Sequence, residues 1–398
     1  MDHHATTPLN QEVLDAMMPY LTTEFGNPSS NTHEYGHYAR IAVDQARRQV
    51  ADFLGAGPND IIFTSGATES INLALKGTAY LDSRKSSANI ITVPIEHKAI
   101  LDTGKRLQKQ GVEIRLAQVD HYGMVDLDDL RKKIDSNTIL ISIQAANGEI
   151  GTIQLIREIG AIAREHGIPY HSDAVQALGR MELDVEKDNI DLLSASGHKI
   201  YGPKGVGALY LRKGLKLTAL IDGGGHERGL RSGTLNVPAI VGLGKAMEIA
   251  KRDLRDESQR LLSLRRRLAE GIESRIEDVR LNGHPTQRLV NNLNYAFSYV
   301  EGEALILACR DVALSSGSAC TSTSLQSSYV LKAIGVPDHL AHSSLRFGLG
   351  KSNSEADVEK VLDLLEHGVK RLRGLSPLYD MAKEGVDLEQ IKWSEHHQ

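Results

Sequence analysis

Cysteine is scarce in this sequence of 398 residues, which contains only Cys309 and Cys320. Two cysteines cannot build a disulfide framework, and their scarcity fits a reducing compartment. The sequence also lacks an apolar run long enough to cross a bilayer, and residues 1–30 lack the charged, apolar and cleavage regions of a signal peptide. We therefore expect a protein that does not associate with membranes.

Basic charge is not in excess either, because the formal net charge is −5. This balance argues against a nucleic-acid partner recognised through overall positive charge. Hydrophobic residues make up 41% of the sequence and charged residues 24%, as in a globular protein. The length allows one large domain and one smaller domain, each with its own core.

Short β-branched runs alternate with helical patterns between about Asp60 and Arg212. The runs lie at residues 61–64, 90–94, 112–117, 138–143, 168–171, 190–194 and 206–211. This alternation predicts an α/β fold with a mostly parallel sheet flanked by helices. Ligands of such sheets bind beyond the carboxyl ends of the strands, so the residues that follow each run are the candidates for a site.

A charged stretch at about residues 246–278 is typical of a long solvated helix and a natural connector between domains. An alternating strand pattern follows at about residues 290–297. We predict a large domain over residues 9–255 and a small α/β domain over residues 256–398 joined by residues 1–8.

Two strand ends offer a lysine and a carboxylate. Lys199 lies in a glycine-bounded loop after residues 190–194, where partial desolvation would free its amine for a Schiff base. Asp173 follows the run at 168–171 and could pair with the ring nitrogen of a cofactor. In isolation Lys199 would more often be an exposed loop lysine, and Asp173 a helix N-cap.

Two further strand ends carry residues with binding chemistry. Thr68 lies in a small-residue turn that leads into a helix, where free N–H groups and the helix dipole favour a phosphate. A simple capping turn is an equally good interpretation of that motif. His97 could stack on an aromatic ligand or move protons, although an isolated histidine is more commonly a surface residue.

The two cysteines have opposite surroundings. Cys320 lies in a polar run of small residues at 315–324, from which a thiolate could reach into a site as a nucleophile. Cys309 ends an apolar helical pattern and is expected to be a small core residue. The glycine-rich loop at residues 223–234 carries two arginines and suits an anion, and Arg346 within an apolar strand pattern requires a carboxylate partner.

Together these segments resemble the cysteine desulfurases of the IscS/Nfs1 type over essentially the whole chain. The similarity lies in residues 2–8, 25–29, 64–69, 96–98, 196–205, 223–234, 315–322 and 341–346. The resemblance implies the type I fold of transferases that depend on pyridoxal 5'-phosphate (PLP), within the class V aminotransferase family. That fold has a mostly parallel seven-stranded sheet, a smaller α/β C-terminal domain, and a homodimer that shares residues between its sites.

The resemblance also assigns roles to individual residues. Lys199 would hold PLP as a Schiff base, Asp173 would pair with the ring nitrogen, and His97 would stack on the ring and act in catalysis. Cys320 would attack the substrate sulfur. The other implied contacts are Gln176 to the ring oxygen, Ala67, Thr68, Ser196 and His198 around the phosphate, Thr234 reaching the site of the other subunit, Arg346 to the substrate carboxylate, and Asn147 to cofactor and substrate.

The implied reaction converts L-cysteine to L-alanine and leaves a persulfide on Cys320. The expected acceptors are an iron–sulfur scaffold protein, with which Cys320 would transiently ligate a cluster, and proteins of tRNA thiolation; no other metal is expected. Residues 385–393 resemble a C-terminus that docks to the scaffold. The implied compartment is the cytoplasm of a bacterium or the mitochondrial matrix of a eukaryote, and the start at Met1 is consistent with a clipped or differently started N-terminus.

One position departs from the family pattern. Relatives typically have two consecutive asparagines where this chain has Asn147 and Gly148. The missing amide would remove one hydrogen bond to the ring oxygen and substrate, worth about 1 kcal/mol or more. Two alternative functions stay open: another PLP reaction, as in a selenocysteine lyase or an aminotransferase, and a weakened scaffold paralogue, which Gly148 alone supports.

Overall fold

The computed structural model describes residues 1–81, 87–316 and 327–385. Eleven strands occur in these ranges: β1 (Ile61–Thr64), β2 (Asn89–Thr92), β3 (Glu113–Leu116), β4 (Thr138–Ser142), β5 (Tyr170–Asp173), β6 (Leu192–Ser196), β7 (Gly207–Leu211), β8 (Val279–Leu281), β9 (Asn292–Phe297), β10 (Ser315–Ser316) and β11 (Ser344–Gly348). All seven runs predicted before residue 212 contain a strand, with bounds that shift by at most two residues.

The same ranges contain twelve α-helices: α1 (Gln11–Thr22), α2 (Glu34–Leu54), α3 (Ala67–Leu81), α4 (Lys98–Gln108), α5 (Leu127–Lys133), α6 (Ile156–Glu165), α7 (Val237–Arg275), α8 (Gly302–Ala308), α9 (Tyr329–Ala333), α10 (Asp338–His342), α11 (Glu355–Arg373) and α12 (Pro377–Lys383). None of the helices in the described ranges combines the length and the apolar character that crossing a membrane requires.

The first seven strands form one sheet in the order β1-β7-β6-β5-β4-β2-β3. The neighbours from β6 to β3 are parallel, whereas β7 is antiparallel to both β6 and β1. Two antiparallel steps cancel, so β1 runs in the same direction as β6. The carboxyl ends of β1, β2, β4, β5 and β6 therefore lie along one edge, and the predicted mostly parallel sheet is confirmed.

The remaining strands form a second, antiparallel sheet in the order β10-β11-β9-β8. Its apolar core contains Phe297 and Phe347 from the sheet and Leu362 from α11. The N-terminal residues belong to this unit, because Asp2 forms a bridge with Gly348 and Met1 packs in the same core.

Helix α7 connects the two cores. Its first half contributes Leu243 and Met247 to the core beside the large sheet, and its second half contributes Leu264 and Leu268 to the core of the second sheet. The predicted connector helix is thus present, but it begins earlier than the charged stretch, at Val237. The predicted domain boundary at residues 255 and 256 falls inside this helix and stays a prediction.

Replacing Leu268 tests the second core. This side chain is fully buried, so Leu268→Ala should lower the free energy of unfolding by about 2–5 kcal/mol through lost burial and the cavity left behind. Leu307 on α8 is 73% exposed, and Leu307→Ala should change that free energy by less than about 0.5 kcal/mol. Urea unfolding followed by circular dichroism measures both, and equal effects would contradict the packing of α7 against this sheet.

Candidate active site

A cavity of about 1410 Å³ lies at the carboxyl edge of the seven-stranded sheet, where parallel sheets bind ligands. Its walls come from the segments after β1, β2, β4, β5 and β6, from residues 4–6, and from β11 of the second sheet. Ten residues predicted from the sequence line it: Ala67, Thr68, His97, Asn147, Asp173, Gln176, Ser196, His198, Lys199 and Arg346.

Two predicted residues are not among the lining residues. Thr234 is exposed on the loop between β7 and α7, away from the cavity of its own chain. Cys320 lies outside the described residues. Cys309, predicted to be a core residue, is buried at the end of α8, and burial raises the pKa of its thiol to about 11.

Lys199 ends a short 3₁₀ helix, Gly197–Lys199, that follows β6 directly. Its Nζ donates to the main-chain carbonyl oxygens of His4 and Ala5, the latter at 2.8 Å. The amine therefore lies at the cavity wall opposite the N-terminal segment. The side chain is half-buried, and its role as a reactive lysine stays a prediction.

Asp173 is the last residue of β5, and its carboxylate is buried in the cavity wall. Burial raises the pKa of Asp173 above its ordinary value, while the charges of His97 and Lys199 oppose that rise. One oxygen, Oδ1, accepts the main-chain N–H of Val175 at 3.0 Å. A carboxylate in this environment is suited to pair with a cationic group of a ligand.

His97 is the N-cap of α4, and its Nδ1 accepts the main-chain N–H of Ala99 at 3.1 Å. In its neutral form the imidazole therefore carries its proton on Nε2. The preceding residue, Glu96, was not singled out from the sequence. Burial raises the pKa of Glu96 well above its ordinary value. Its Oε1 accepts the main-chain N–H of Gln144 at 2.7 Å, and this hydrogen bond lowers the pKa in part. Its Oε2 has no partner among the described residues.

The turn before α3 brings a helix N-terminus to the cavity. Glu69 Oε2 accepts the N–H of Ser65 at 2.8 Å, and Thr64 Oγ1 lies 2.8 Å from Ser70 Oγ, which fixes the turn. The first N–H groups of a helix have no partner within it, and both Ala67 and Thr68 line the cavity. This end of α3 can therefore bind an anion such as a phosphate.

His198 lies in the 3₁₀ helix Gly197–Lys199 and lines the same cavity as this turn. Its Nδ1 is 3.1 Å from Thr6 Oγ1, and its pKa is lowered to about 4 by burial and by the charges of Lys199 and Lys204. The imidazole is therefore neutral at physiological pH and can donate or accept one hydrogen bond. Lys204 also lines the cavity and adds positive charge that the sequence analysis did not assign.

The segment around Gly148 is held by its own hydrogen bonds. Asn147 is buried, donates from Nδ2 to the carbonyl of Ile95 at 2.8 Å, and accepts the N–H groups of Glu149 and Ile150 at its Oδ1. Its amide thus shapes the turn at the cavity wall. The predicted contacts of Asn147 with cofactor and substrate stay predictions.

Arg346 extends from β11 into the same cavity and is nearly buried. An arginine in an apolar strand requires a carboxylate partner, and in the structure this partner is Asp2, whose Oδ1 lies 3.0 Å from Nη2. Nη1 donates to the carbonyl of Gly148 at 3.4 Å, and Nε has no partner among the described residues. The guanidinium is thus oriented by the N-terminal segment, a contact that the sequence did not reveal.

The glycine-rich loop at residues 223–234 is anchored by two ion pairs. Glu227 is buried against Arg47 at 2.6 Å and accepts the N–H of Phe63 at 2.7 Å. Arg231 pairs at 3.0 Å with Glu69 on the first turn of α3. The loop therefore shares its support with the anion-binding turn, although its Thr234 does not line that cavity.

The aminotransferase class-V family model matches residues 1–361. The cysteine desulfurase IscS of Anaeromyxobacter dehalogenans is 50% identical over 399 residues, which covers 100% of this chain and 98% of that protein. The solved structure of a NifS-like protein is 38% identical with a TM-score of 0.87, covering 93% of this chain and 98% of that one. SspA in complex with cysteine is 37% identical with a TM-score of 0.78, covering 87% and 97%.

A buried histidine beneath the site makes stability depend on pH. His171 on β5 contacts Ser142 Oγ and Ser194 Oγ at 2.8 and 2.9 Å, and burial lowers its pKa to about 3. The unfolded chain takes up a proton there below about pH 6.5 and the folded chain does not, so stability falls as pH falls, by up to about 1.4 kcal/mol per pH unit. His171→Gln should remove this component between about pH 6.5 and 4.5.

Glu96 and Asp173 contribute with the opposite sign, because their pKa values are raised. The measured quantity is therefore the difference in pH slope between wild type and variant, from urea unfolding at several pH values. His339→Gln, at an exposed position, is the control and should keep the wild-type slope. The same slope in His171→Gln would contradict the neutral buried state of His171.

Proposed function

The chain belongs to the aminotransferase class-V family, and we infer that its activity is that of a cysteine desulfurase, which converts L-cysteine to L-alanine and transfers the sulfur. The observation that carries this inference is the meeting of Lys199, Asp173, His97 and Arg346 around one cavity in a chain similar over its full length to desulfurases. Neither the other PLP reactions nor the scaffold alternative has comparable support.

We propose pyridoxal 5'-phosphate as the cofactor, and the residues of the cavity fit it. A helix N-terminus suits its phosphate, a buried carboxylate suits its ring nitrogen, and a lysine at a strand end suits its aldehyde. Asp173, Lys199 and the N-terminal end of α3 would hold these three parts. The remaining predicted contacts come from Gln176, His97, Ala67, Ser196, His198 and Asn147.

When bound, PLP supplies a ring that stabilises negative charge developing on the substrate Cα. Once L-cysteine is bound, Lys199 Nζ would remove the proton from its Cα. The raised pKa of Asp173 reflects a carboxylate that lacks a full counter-charge, so a protonated ring nitrogen would be held strongly there. His97 would stack on the ring and move protons through Nε2.

Arg346 would bind the substrate carboxylate. Its guanidinium is already fixed by Asp2 and Gly148, so little side-chain entropy is lost when a second carboxylate binds. The Sγ of Cys320 would then attack the substrate sulfur. The S–S bond of a persulfide forms on Cys320, the C–S bond of the substrate breaks, and protonation of the remaining carbon yields alanine.

We propose that an iron–sulfur scaffold protein and other sulfur acceptors, including those of tRNA thiolation, take the sulfur from Cys320. Residues 386–398, which include most of the predicted docking tail, lie outside the described residues, as does Cys320. The proposed compartment is the bacterial cytoplasm, in line with the bacterial relatives, or the mitochondrial matrix if the source is eukaryotic.

A homodimer is proposed because of an exposed apolar patch on α1, α2 and their connection. The patch contains Met18, Leu21, Phe25, Tyr35, Tyr38 and Ile41, of which Phe25 is 70% exposed and stacks on Tyr35 at 5.3 Å between ring centroids. Exposed apolar side chains that stand together, as the rings of Phe25 and Tyr35 do, mark an interface more often than a free surface. Thr234 of the partner subunit would complete the phosphate site.

Lys199 and Cys320 can be tested against matched residues. Lys199→Ala should abolish the absorbance band of bound PLP and lower alanine production from L-cysteine by about 10²–10⁴-fold, because the general base is lost. Lys204→Ala, in the same wall, should keep the band. Cys320→Ala should stop persulfide formation, whereas Cys309→Ala, in the small core, should not.

The readouts are the absorbance spectrum of purified protein, alanine release and mass spectrometry of the persulfide. Absence of a PLP band in the wild-type protein would sink the enzyme interpretation. A band without cysteine-dependent alanine would instead point to another PLP reaction. Persulfide on Cys309 in place of Cys320 would overturn the assignment of the nucleophile.

The apolar patch predicts the oligomeric state. Tyr38→Glu places a charge on a patch residue that is 48% exposed, and a buried unpaired charge should weaken the dimer at least about tenfold. Leu307→Glu, on α8 at 73% exposure and outside the cavity lining, is the control and should leave association unchanged. Sedimentation velocity measures both, and a dimer unaffected by Tyr38→Glu would place the interface elsewhere.

A further inference from the structure

The amide of Gln176 is held at both of its ends by His4. Gln176 Oε1 lies 2.8 Å from His4 Nδ1, and Gln176 Nε2 donates to the main-chain carbonyl of His4 at 3.2 Å. His4 is 2% exposed, and both residues line the cavity. Because the carbonyl oxygen can only accept, the amide nitrogen must face it, and the amide oxygen must face the imidazole.

This arrangement also fixes the state of the imidazole. An amide oxygen accepts only, so His4 carries its proton on Nδ1, and its Nε2 has no partner among the described residues. Burial and the charges of Arg346 and Lys199 lower the pKa of His4 to about 3. The side chain therefore remains a neutral donor across the physiological pH range.

Gly148 provides the space for this amide. A Cβ atom at position 148 would lie 2.7 Å from both Cγ and Nε2 of Gln176, which is too close for any real contact. The backbone angle φ of Gly148 is not positive, so the backbone conformation at this position does not require glycine. A side chain at position 148 would therefore displace the Gln176 amide.

We propose that His4 is a positioning residue that holds the Gln176 amide over Gly148, so that the second N–H of this amide is a hydrogen-bond donor inside the cavity. The inference rests on the proposed function, in which that donor serves the ring oxygen of PLP. Gln176 thereby supplies an amide at the place where position 148 has none. His4, Gln176 and Gly148 then act as one unit.

The position of the Gln176 amide can be altered by a change at His4 or by a change at Gly148. His4→Ala removes the imidazole, and Gly148→Ala displaces the amide without altering His4 or Gln176. In His4→Asn, the asparagine Nδ2 is bonded to Cγ as Nδ1 is in histidine, so it can replace the donor. His3→Ala is the matched control, since the neighbouring His3 Nδ1 contacts only the carbonyl of Gly348 at 3.1 Å.

The experiment is a pH titration of the absorbance of bound PLP in each variant without substrate. A donor to the ring oxygen favours its anionic form, so loss of the donor raises the pH midpoint. His4→Ala and Gly148→Ala should raise it by about half a unit to one unit, the effect of one hydrogen bond. His4→Asn and His3→Ala should keep the wild-type midpoint.

A double variant tests whether the three residues act together. Gly148→Ala in a Gln176→Ala background should cause no further shift, because the displaced group is already absent. Additive shifts, or an unchanged midpoint in Gly148→Ala with normal folding by thermal unfolding, would overturn the inference. A wild-type protein with no PLP band would overturn the proposed function as well, whereas a normal band whose midpoint no variant moves would overturn the positioning role alone.

Discussion

The burial of the Asp173 carboxylate at the end of β5 is the constraint on which the site depends. A carboxylate removed from water is costly unless cations or donors surround it, and this one has His97, Lys199 and one main-chain N–H nearby. These groups come from three different strand ends. The strands that carry these groups run in a common direction and bring them to one edge of the sheet. The topology of the sheet therefore determines which charges and donors surround Asp173.

The second sheet and the N-terminal segment complete the cavity at the edge of the first sheet. Arg346 reaches the cavity from β11, and the N-terminal segment crosses between the units, pairing Asp2 with Arg346 and placing the His4 carbonyl on Lys199. Helix α7 extends through both cores as a continuous rod. The position of the Arg346 guanidinium relative to Lys199 is thus set by how these two cores pack along one helix.

The strands and their terminal residues could be predicted because they follow from local pattern and a general rule. β-branched runs specify strands, and the carboxyl ends of parallel strands converge whatever the sequence between them. The antiparallel direction of β7 could not be read in this way, since its alternation is the same in either direction. The first turns of α7, before Ala246, were not predicted because their residues are mostly apolar and lack the charged pattern by which the rest of the helix was recognised.

The contacts that orient the site were harder to predict because they join distant parts of the chain. Arg346 and Asp2 are 344 positions apart, and only the packing of residues 1–8 onto the second sheet brings them together. His3 and His4 are equivalent in a sequence reading, yet one contacts Gly348 and the other is enclosed against Gln176. Burial separates their roles, and burial is a property of the whole fold.

The protonated, buried thiol of Cys309 has a consequence for the transfer of sulfur between cysteines of this chain. A sulfane sulfur moves between cysteines by exchange, and the attacking group must be a thiolate. Burial raises the pKa of Cys309 to about 11, so its thiol stays protonated at neutral pH, and the side chain is enclosed in a core. It is the only other cysteine of the sequence, so sulfur placed on Cys320 by the proposed reaction would have no second cysteine to move to within the chain.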